Sequence, residues 1–483
     1  MRARERQRIG GVIRSRSFSI RPKKAGNSTP EDPPEEREKP GHGTDMGNTT
    51  ETPSSKNVST KQNQIAELAR KMPGVGLRTL AHHIDIDWLR EAYAGTRKDG
   101  APGIDEVTAQ EYESNLNANL TRLLDQFKSG TYKAPPVRRT YIAKADGGQR
   151  PLGVPTFEDK VLQRAVTMVL GAVYEQEFLS SSYGYRPKIG ALHALRDLRQ
   201  ELTTMGGGWV LEADITSFFD SMEHHHLRSF LDKRVRDGVI RRTIDKWLKA
   251  GVMEGGEVHR PEDGTPQGGV ISPLLANIYL HEVLDVWFEQ QVQPRLRGRS
   301  RLIRYADDFV ICFEREDDAR RIWEVLPKRF AKYGLALHPD KTRLLNYKKP
   351  GGGGDQERPS FDFLGFTHYW ARSRSGWWVI KRKTMAKRLR RKLHEIWLWC
   401  RTVRHEPMKW QQERLASRLL GYYNYFGITS NHDALEQLFR GVRQAWRYWL
   451  DRRSQRAQIT WARFSVLEQL FPLPKPRIVH SWA

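Results

Sequence analysis

The stretch Arg301-Leu-Ile-Arg-Tyr-Ala-Asp-Asp-Phe-Val-Ile-Cys-Phe313 decides how this chain is read. Arg301 to Tyr305 and Phe309 to Phe313 are rich in β-branched and aromatic residues, and Ala306-Asp307-Asp308 hinges them, which predicts a hairpin with two acids at its tip. A solvated Asp-Asp turn needs no such apolar frame. Upstream by 93 residues (307 − 214), Trp209-Val-Leu-Glu-Ala-Asp214 is another strand that ends in an acid. Two neighbouring strands would bring the three carboxylates together. Hard cations such as Mg²⁺ take carboxylate oxygens plus substrate phosphates, and two ions about 3.5 to 4 Å apart can activate a 3′-hydroxyl and stabilise a leaving pyrophosphate. Asp214, Asp307 and Asp308 are therefore the candidate catalytic and metal-binding residues, for two Mg²⁺ ions.

Working outward, Tyr141 to Val154 reads as two short strands around Asp146-Gly147-Gly148, with Lys144 on one arm and Arg150 on the other, a pair suited to clamping phosphates. Glu158 to Phe178 is helical, with Val161, Leu162, Ala165, Val166, Val169 and Val173 on one stripe. Asp317 to Tyr333 predicts a helix and is followed by a short strand before His338. The Gly351 to Gly354 run is a loop ahead of Phe361-Asp-Phe-Leu-Gly-Phe366. Helical spacing starts at Ile65. From Lys381 to Arg404, ten Lys or Arg face one acid, Glu395, and the chain to Arg453 reads as helices dense in Trp and Tyr. This places a boundary near residue 380, with Trp397, Trp446 and Trp449 assigned to packing. Asp220 is expected to cap a helix.

The charge balance names the class of partner. Lys and Arg number 81 against 57 Asp and Glu, a net charge of +24, which calls for a polyanion, nucleic acid first. A membrane is not expected, since no apolar run approaches the roughly 20 residues that spanning requires. Two cysteines, Cys312 and Cys400, are too few for a disulfide framework or a Cys-rich zinc module. His224-His225-His226 lacks the i, i+4 spacing that aims ligands to one side of a helix, so zinc is not expected there. Residues 1–62 are poor in aromatics and rich in Arg, Pro, Ser and Glu, a composition read as a disordered basic extension.

Tyr305-Ala-Asp-Asp308 resembles the catalytic hairpin of reverse transcriptases, and Glu212-Ala-Asp-Ile-Thr-Ser-Phe-Phe-Asp220 resembles their first carboxylate motif. Gly264-Thr-Pro-Gln-Gly-Gly-Val-Ile-Ser-Pro-Leu-Leu-Ala-Asn-Ile-Tyr-Leu-His281 is very similar to the corresponding segment of group II intron-encoded enzymes. Gly100-Ala-Pro-Gly-Ile-Asp105, Lys144 to Pro155 and Tyr183-Gly-Tyr-Arg-Pro187 match the same family in the same order. The resemblance covers about residues 85 to 450.

It implies an α+β, right-hand polymerase. Fingers and palm with a small antiparallel sheet would occupy 63–380 and an α-helical thumb/maturase domain X 381–455; many family members carry a carboxy-terminal HNH endonuclease, and the short tail 456–483 is expected to depart from them. It further implies that Lys144 and Arg150 hold the incoming dNTP triphosphate, that Gln267 lies near the templating pair, and that Phe219 excludes a 2′-hydroxyl. Lys341 would sit near the leaving pyrophosphate. Phe363, Leu364 and Gly365 would grip the primer end, and Lys387, Arg388, Arg391 and Lys392 would bind nucleic acid. Implied partners are a structured RNA, its own group II intron first among candidates, with a DNA or RNA primer, a DNA target and dNTPs. The expected location is the bacterial cytoplasm, as a nucleoid-associated ribonucleoprotein. Two rival readings are an RNA-binding splicing factor with a vestigial polymerase site, and a domesticated relative serving phage defence or DNA repair.

Overall fold

The structure, a computed structural model, describes residues 53–481 apart from 144–147, 255–256, 260–263, 265–267, 352–358, 455 and 457. The amino-terminal half is mainly helical: α1 (Pro53–Lys71), α2 (Ile86–Gly95), α3 (Ala109–Glu113), α4 (Leu116–Ser129), α5 (Phe157–Tyr174) and α6 (Ala191–Thr204). Between α4 and α5 lies a hairpin of β1 (Val137–Ala143) and β2 (Gln149–Val154), paired from Arg138 opposite Val154 to Ala143 opposite Gln149. The two arms are those expected. Lys144 and most of the turn lie outside the described residues. After β3 (Trp209–Ala213) come α7 (His224–Arg234), α8 (Gly238–Lys249), β4 (Val252–Glu254), β5 (Glu257–His259) and α9 (Ser272–Leu280).

The element that positions the chemistry is a four-stranded antiparallel sheet in the order β6 (Ser300–Tyr305), β7 (Asp308–Phe313), β3 and β8 (Arg343–Asn346). Its strands do not alternate polar with apolar. Leu211, Leu302, Phe309, Ile311 and Phe313 point into one hydrophobic core, built with α1, α2, α5 and α9. Val210, Ile303, Val310 and Cys312 point into a second. Burial on both faces is what a continuous apolar run such as Phe309 to Phe313 specifies. The polar end of the sheet, where the acids stand, is then the part left open. Helix α10 (Glu316–Ala331) packs back on β3 and β7.

The second core also holds β9 (Ser360–Phe363), β10 (Phe366–Arg372) and β11 (Trp378–Thr384). With them are α11 (Ala386–Thr402), α12 (Met408–Phe426), α13 (His432–Asp451) and α14 (Trp461–Leu470). The expected α+β class, with small sheets followed by a helical carboxy-terminal region, is what the chain adopts. Trp446 is fully buried and donates from Nε1 to Gln411 Oε1 at 3.0 Å, while Trp397 and Trp449 pack at its margin. Among the described residues no helix is long and apolar enough to cross a membrane.

Three expected boundaries are corrected. The first described helix starts ahead of residue 63, since α1 begins at Pro53 and buries Val58 on the same stripe as Ile65 and Ala69, while residues 1–52 of the expected extension lie outside the described residues. A lone buried Val58 among polar neighbours is too weak a compositional signal to register. The boundary at 380 falls inside β11, whose Ile380, Arg382 and Thr384 face inward while Lys381 and Lys383 face outward. The basic run is thus strand as far as Thr384 and becomes helix only at Ala386. The residues after 455 include α14, whose Phe464 is fully buried against Trp446 and whose Glu468 pairs with Arg443 at 2.6 Å. Val479 N then donates to Gly427 O at 2.7 Å, binding the last described residues to the helices.

Candidate active site

Strand register assembles the acids. β3 runs antiparallel to β7 from Trp209 opposite Phe313 to Ala213 opposite Phe309, so the next position places Asp214 across from Asp308. On the other side of β7, Tyr305 pairs with Asp308, leaving Ala306 and Asp307 as a two-residue turn. Ala306 has φ +57°, a left-handed conformation that costs a residue with a Cβ roughly 1 kcal/mol. The backbone of Asp214 is fixed by a neighbouring loop: His338 N donates to Asp214 O at 2.8 Å and Thr216 N to Ala336 O at 2.9 Å. That loop also carries Lys341, whose Nζ donates to Asp214 Oδ2 at 2.6 Å.

The electrostatics are those of a concentrated anionic site. Asp308 is an exposed residue at the end of the sheet, yet the protein crowded around its carboxyl strips hydration from it, and this with the charges of Asp307 and Asp214 pushes it up to about 7. Lys341 and Arg388 pull it down less strongly. Asp307 is raised by its surroundings and by Asp214, against the opposing charges of Arg150 and Arg304. Three oxygen-donor carboxylates that resist sharing their negative charge are a donor set for hard divalent cations. An ammonium already rests on one of them. By donor chemistry these residues suit a hard divalent cation, although their carboxylate oxygens do not all lie within 4.8 Å of one another here, as the ligand atoms of Glu223, His225 and His226 do.

The other expected site residues fall as follows. Arg150, on β2, acts electrostatically on Asp307 and so lies near the acids. Gln267, like Lys144, lies outside the described residues. Its neighbour Gly268 has φ +116° and packs so closely that a Cβ would stand 2.6 Å from Gly153 O, tying that loop to β2. Phe219 is half-buried in the turn after β3, edge-on to the buried Phe218 at 5.5 Å. Asp220 caps no helix: Glu223 occupies the cap of α7, and Asp220 sits in the preceding turn with its backbone N donating to Ser217 O.

Leu364 and Gly365 form the tight turn between β9 and β10, both with positive φ, and Phe363 is buried beneath it. Tyr425 Oη donates to Leu364 O at 2.8 Å and Met385 N to Gly365 O at 3.0 Å, so α11 and α12 hold the turn.

Of the four cations on α11, Lys387 and Arg391 are exposed, and Arg391 and Lys392 lie 3.5 and 3.3 Å from Glu395. Arg388 is different. It packs against Gly365 and its charge reaches Asp308, so it borders the acid cluster instead of standing apart from it.

Sequence reasoning missed three features. Tyr185, at φ +56°, holds its ring 6.4 Å from that of Tyr305 and feels the charge of Asp307. Arg304 is fully buried directly beneath the acidic turn, and its place between Ile303 and Tyr305 at the inner end of β6 was the available signal. At the start of α7, Glu223 draws in His225 and His226, with Oε2 3.5 and 3.3 Å from their Nε2 atoms and all three ligand atoms within 4.8 Å. The histidine spacing alone could not show this, because the third member is a glutamate.

Comparison with known proteins identifies the family. Residues 142–368 match the family model described as "Reverse transcriptase (RNA-dependent DNA polymerase)". The chain is 36% identical over 278 residues to "Protein YkfC" of Escherichia coli strain K12, covering 56% of this chain and 72% of that protein. It is 34% identical over 256 residues to "Group II intron-encoded protein LtrA" of Lactococcus lactis subsp. cremoris, covering 51% of this chain and 42% of LtrA. It is 27% identical over 236 residues to "Nuclear intron maturase 2, mitochondrial" of Arabidopsis thaliana, covering 41% of this chain and 30% of that protein. The matched segment thus amounts to less than half the length of LtrA.

Proposed function

Because the chain belongs to the reverse transcriptase family of the group II intron-encoded and maturase type, we propose that it copies RNA into DNA and binds a group II intron RNA, assisting its splicing and mobility. The observation that carries this reading is the strand register that sets Asp214 beside Asp308, with Asp307 in the adjoining turn. Two Mg²⁺ ions held by these carboxylates would supply activation of the primer 3′-hydroxyl and neutralisation of charge on the leaving pyrophosphate. The chain's own groups do the rest. Arg150, and Lys144 by the reading of the sequence, contribute positive charge for the β- and γ-phosphates of a dNTP. Phe219 fills the space beside the sugar, where a 2′-hydroxyl would need room. Lys341, at the end of its loop, can leave Asp214 for the departing pyrophosphate. The turn at Leu364 and Gly365 supports the primer end.

The names of the relatives, one encoded by a group II intron and one an intron maturase, support an intron RNA as partner. The net charge of +24 suits it. A bacterial cytoplasmic ribonucleoprotein is the setting that follows. The test is extension of a DNA primer on an RNA template by the purified protein with Mg²⁺ and dNTPs, with Asp307→Asn as control. Extension that is absent in the parent, or equally fast in the control, sinks the polymerase reading and leaves a splicing factor with a vestigial site. Sequencing the RNA that copurifies with the chain identifies the partner, and recovery of no intron RNA would favour a domesticated relative.

A further inference from the structure

The acidic turn is held from beneath by one saturated guanidinium. Arg304 is fully buried, and an arginine has five N–H donors in a fixed plane. All five have acceptors. Nε donates to Asp285 Oδ1 at 2.7 Å, and Nη2 donates to Asp285 Oδ2 at 2.5 Å and to Ser182 Oγ at 2.8 Å. Nη1 donates to Asn277 Oδ1 at 3.0 Å and to Ala306 O at 3.1 Å. The last of these bonds reaches the left-handed residue that makes the turn, next to Asp307.

The opposite side of the turn is closed as well. Ser182 and Arg304 form an isolated bridge, with Arg304 N donating to Ser181 O at 2.8 Å and Tyr183 N to Arg304 O at 2.9 Å. This lays Gly184 against the turn so closely that a Cβ there would collide with Ala306 N. Asn277 joins the two halves, since its Nδ2 donates to Gly184 O at 2.7 Å while its Oδ1 accepts from Arg304. Helix geometry serves the same end. Asn277 and Asp285 are eight residues apart, which on a regular helix turns them about 80° from each other. The segment His281–Asp285 is instead a wider π-helical turn, which lessens that angle and brings Asp285 to the Arg304 side.

We propose that Arg304, with Asn277 and Asp285, is a positioning unit that fixes the Ala306–Asp307 turn and so holds Asp307 and Asp308 beside Asp214, where a metal ion can draw the three carboxylates together. The proposal rests on the polymerase reading for its consequence, but its geometric content concerns metal binding alone. Removing one link should let the turn relax from its left-handed conformation. The carboxylates would then be present but misplaced, and groups that orient ligands from behind commonly matter about tenfold or more.

Two variants of the full chain test it. Arg304→Lys keeps the charge opposite Asp285 but cannot reach five acceptors; Asn277→Ala keeps the Arg304–Asp285 pair and cuts the link to Gly184. For each, Mn²⁺ binding is followed by electron paramagnetic resonance, RNA–DNA primer–template affinity by fluorescence anisotropy, and single-turnover incorporation per titrated active site. The expected result is a Mn²⁺ midpoint raised and a per-site rate lowered by about tenfold or more, with primer–template affinity within about twofold of the parent. A lowered melting temperature with parental Mn²⁺ midpoint and per-site rate would overturn the proposal, reducing the network to ordinary core. Should Arg304→Lys fail to fold, Asn277→Ala decides by the same criteria. A parent that binds Mn²⁺ but incorporates nothing would defeat the polymerase reading, while the Mn²⁺ midpoints would still decide the positioning role.

Discussion

Lys341 Nζ donates to Asp214 Oδ2 across 2.6 Å, so an ammonium from a loop 127 residues downstream rests on the acid that ends β3. A cation in that place competes with a metal ion for the same oxygen, although the lysine is mostly exposed and the pair therefore weak. Lys341→Met should tighten Mn²⁺ binding to the free protein while slowing nucleotide incorporation, because the charge proposed to follow the pyrophosphate is gone. Opposite movement of the two measurements is the signature. Metal affinity and rate both at parental values would make the pair incidental.

Phe219 follows Asp214 by five residues and is braced by Phe218, so its ring cannot simply turn away. Phe219→Val should admit ribonucleotides, lowering the preference for dNTP over rNTP by roughly tenfold to a hundredfold, the range open to a steric pocket. The ratio of kcat/KM for dCTP and rCTP on one primer–template measures it. An unchanged ratio excludes Phe219 as the gate.

The cations of α11 other than Arg388 and the acids near Asp307 should separate by their salt dependence. Replacing Lys387, Arg391 and Lys392 together with Ala should weaken RNA binding and reduce the slope of log K against log salt by about 0.7 to 0.9 for each phosphate that is no longer neutralised. Asp307→Asn should keep both the affinity and the slope. Arg388 belongs in a separate experiment, since it packs on Gly365 and acts on Asp308. Arg388→Ala should slow incorporation even at saturating primer–template. A parental slope in the triple variant returns this helix face to ordinary surface.

Asp159 gives a prediction about pH. It is buried, accepts from Tyr132 Oη, from Trp247 Nε1 at 2.6 Å and from Gln163 Nε2 at 3.0 Å, and burial still pushes it up to about 6. Gln163 in turn accepts from Ile271 N at 3.4 Å, so this carboxyl supports the loop that leads into α9. A folded pKa above the unfolded one means that the fold favours the protonated acid. Its contribution is complete below about pH 4 and is lost as the pH rises through about 6. Asp159→Asn removes the titration. The unfolding free energy of the parent relative to this variant should therefore fall by on the order of 3 kcal/mol between pH 4 and 7. Chemical denaturation at several pH values checks it, and a constant difference would show that Asp159 does not carry the shift.

Residues that act through their neighbours in sequence were legible without the tertiary structure. Asp307 and Asp308 between two apolar runs, Asp214 at the end of another, and the α5 stripe from Val161 to Val173 each state their own strand or helix, because period and turn chemistry are local properties. What escaped depends on partners far along the chain. Val58 specifies α1 only once Ile65, Ala69 and the core beneath them are present. The basic residues of β11 pass for helix until Thr384 is seen bonded to Asn431, with Thr384 N donating to Asn431 Oδ1 at 2.8 Å. Phe464 makes α14 part of the fold by packing on Trp446. Arg304 has no meaning in the linear sequence beyond an odd cation in a strand. Its five acceptors come from residues 182, 277, 285 and 306, and only folding brings them into one plane around it. The sequence alone thus determined which acids could bind metal, since carboxylate chemistry belongs to the residue. Where those acids point was decided by the tertiary structure, because a buried guanidinium is tolerable only where distant acceptors converge on it.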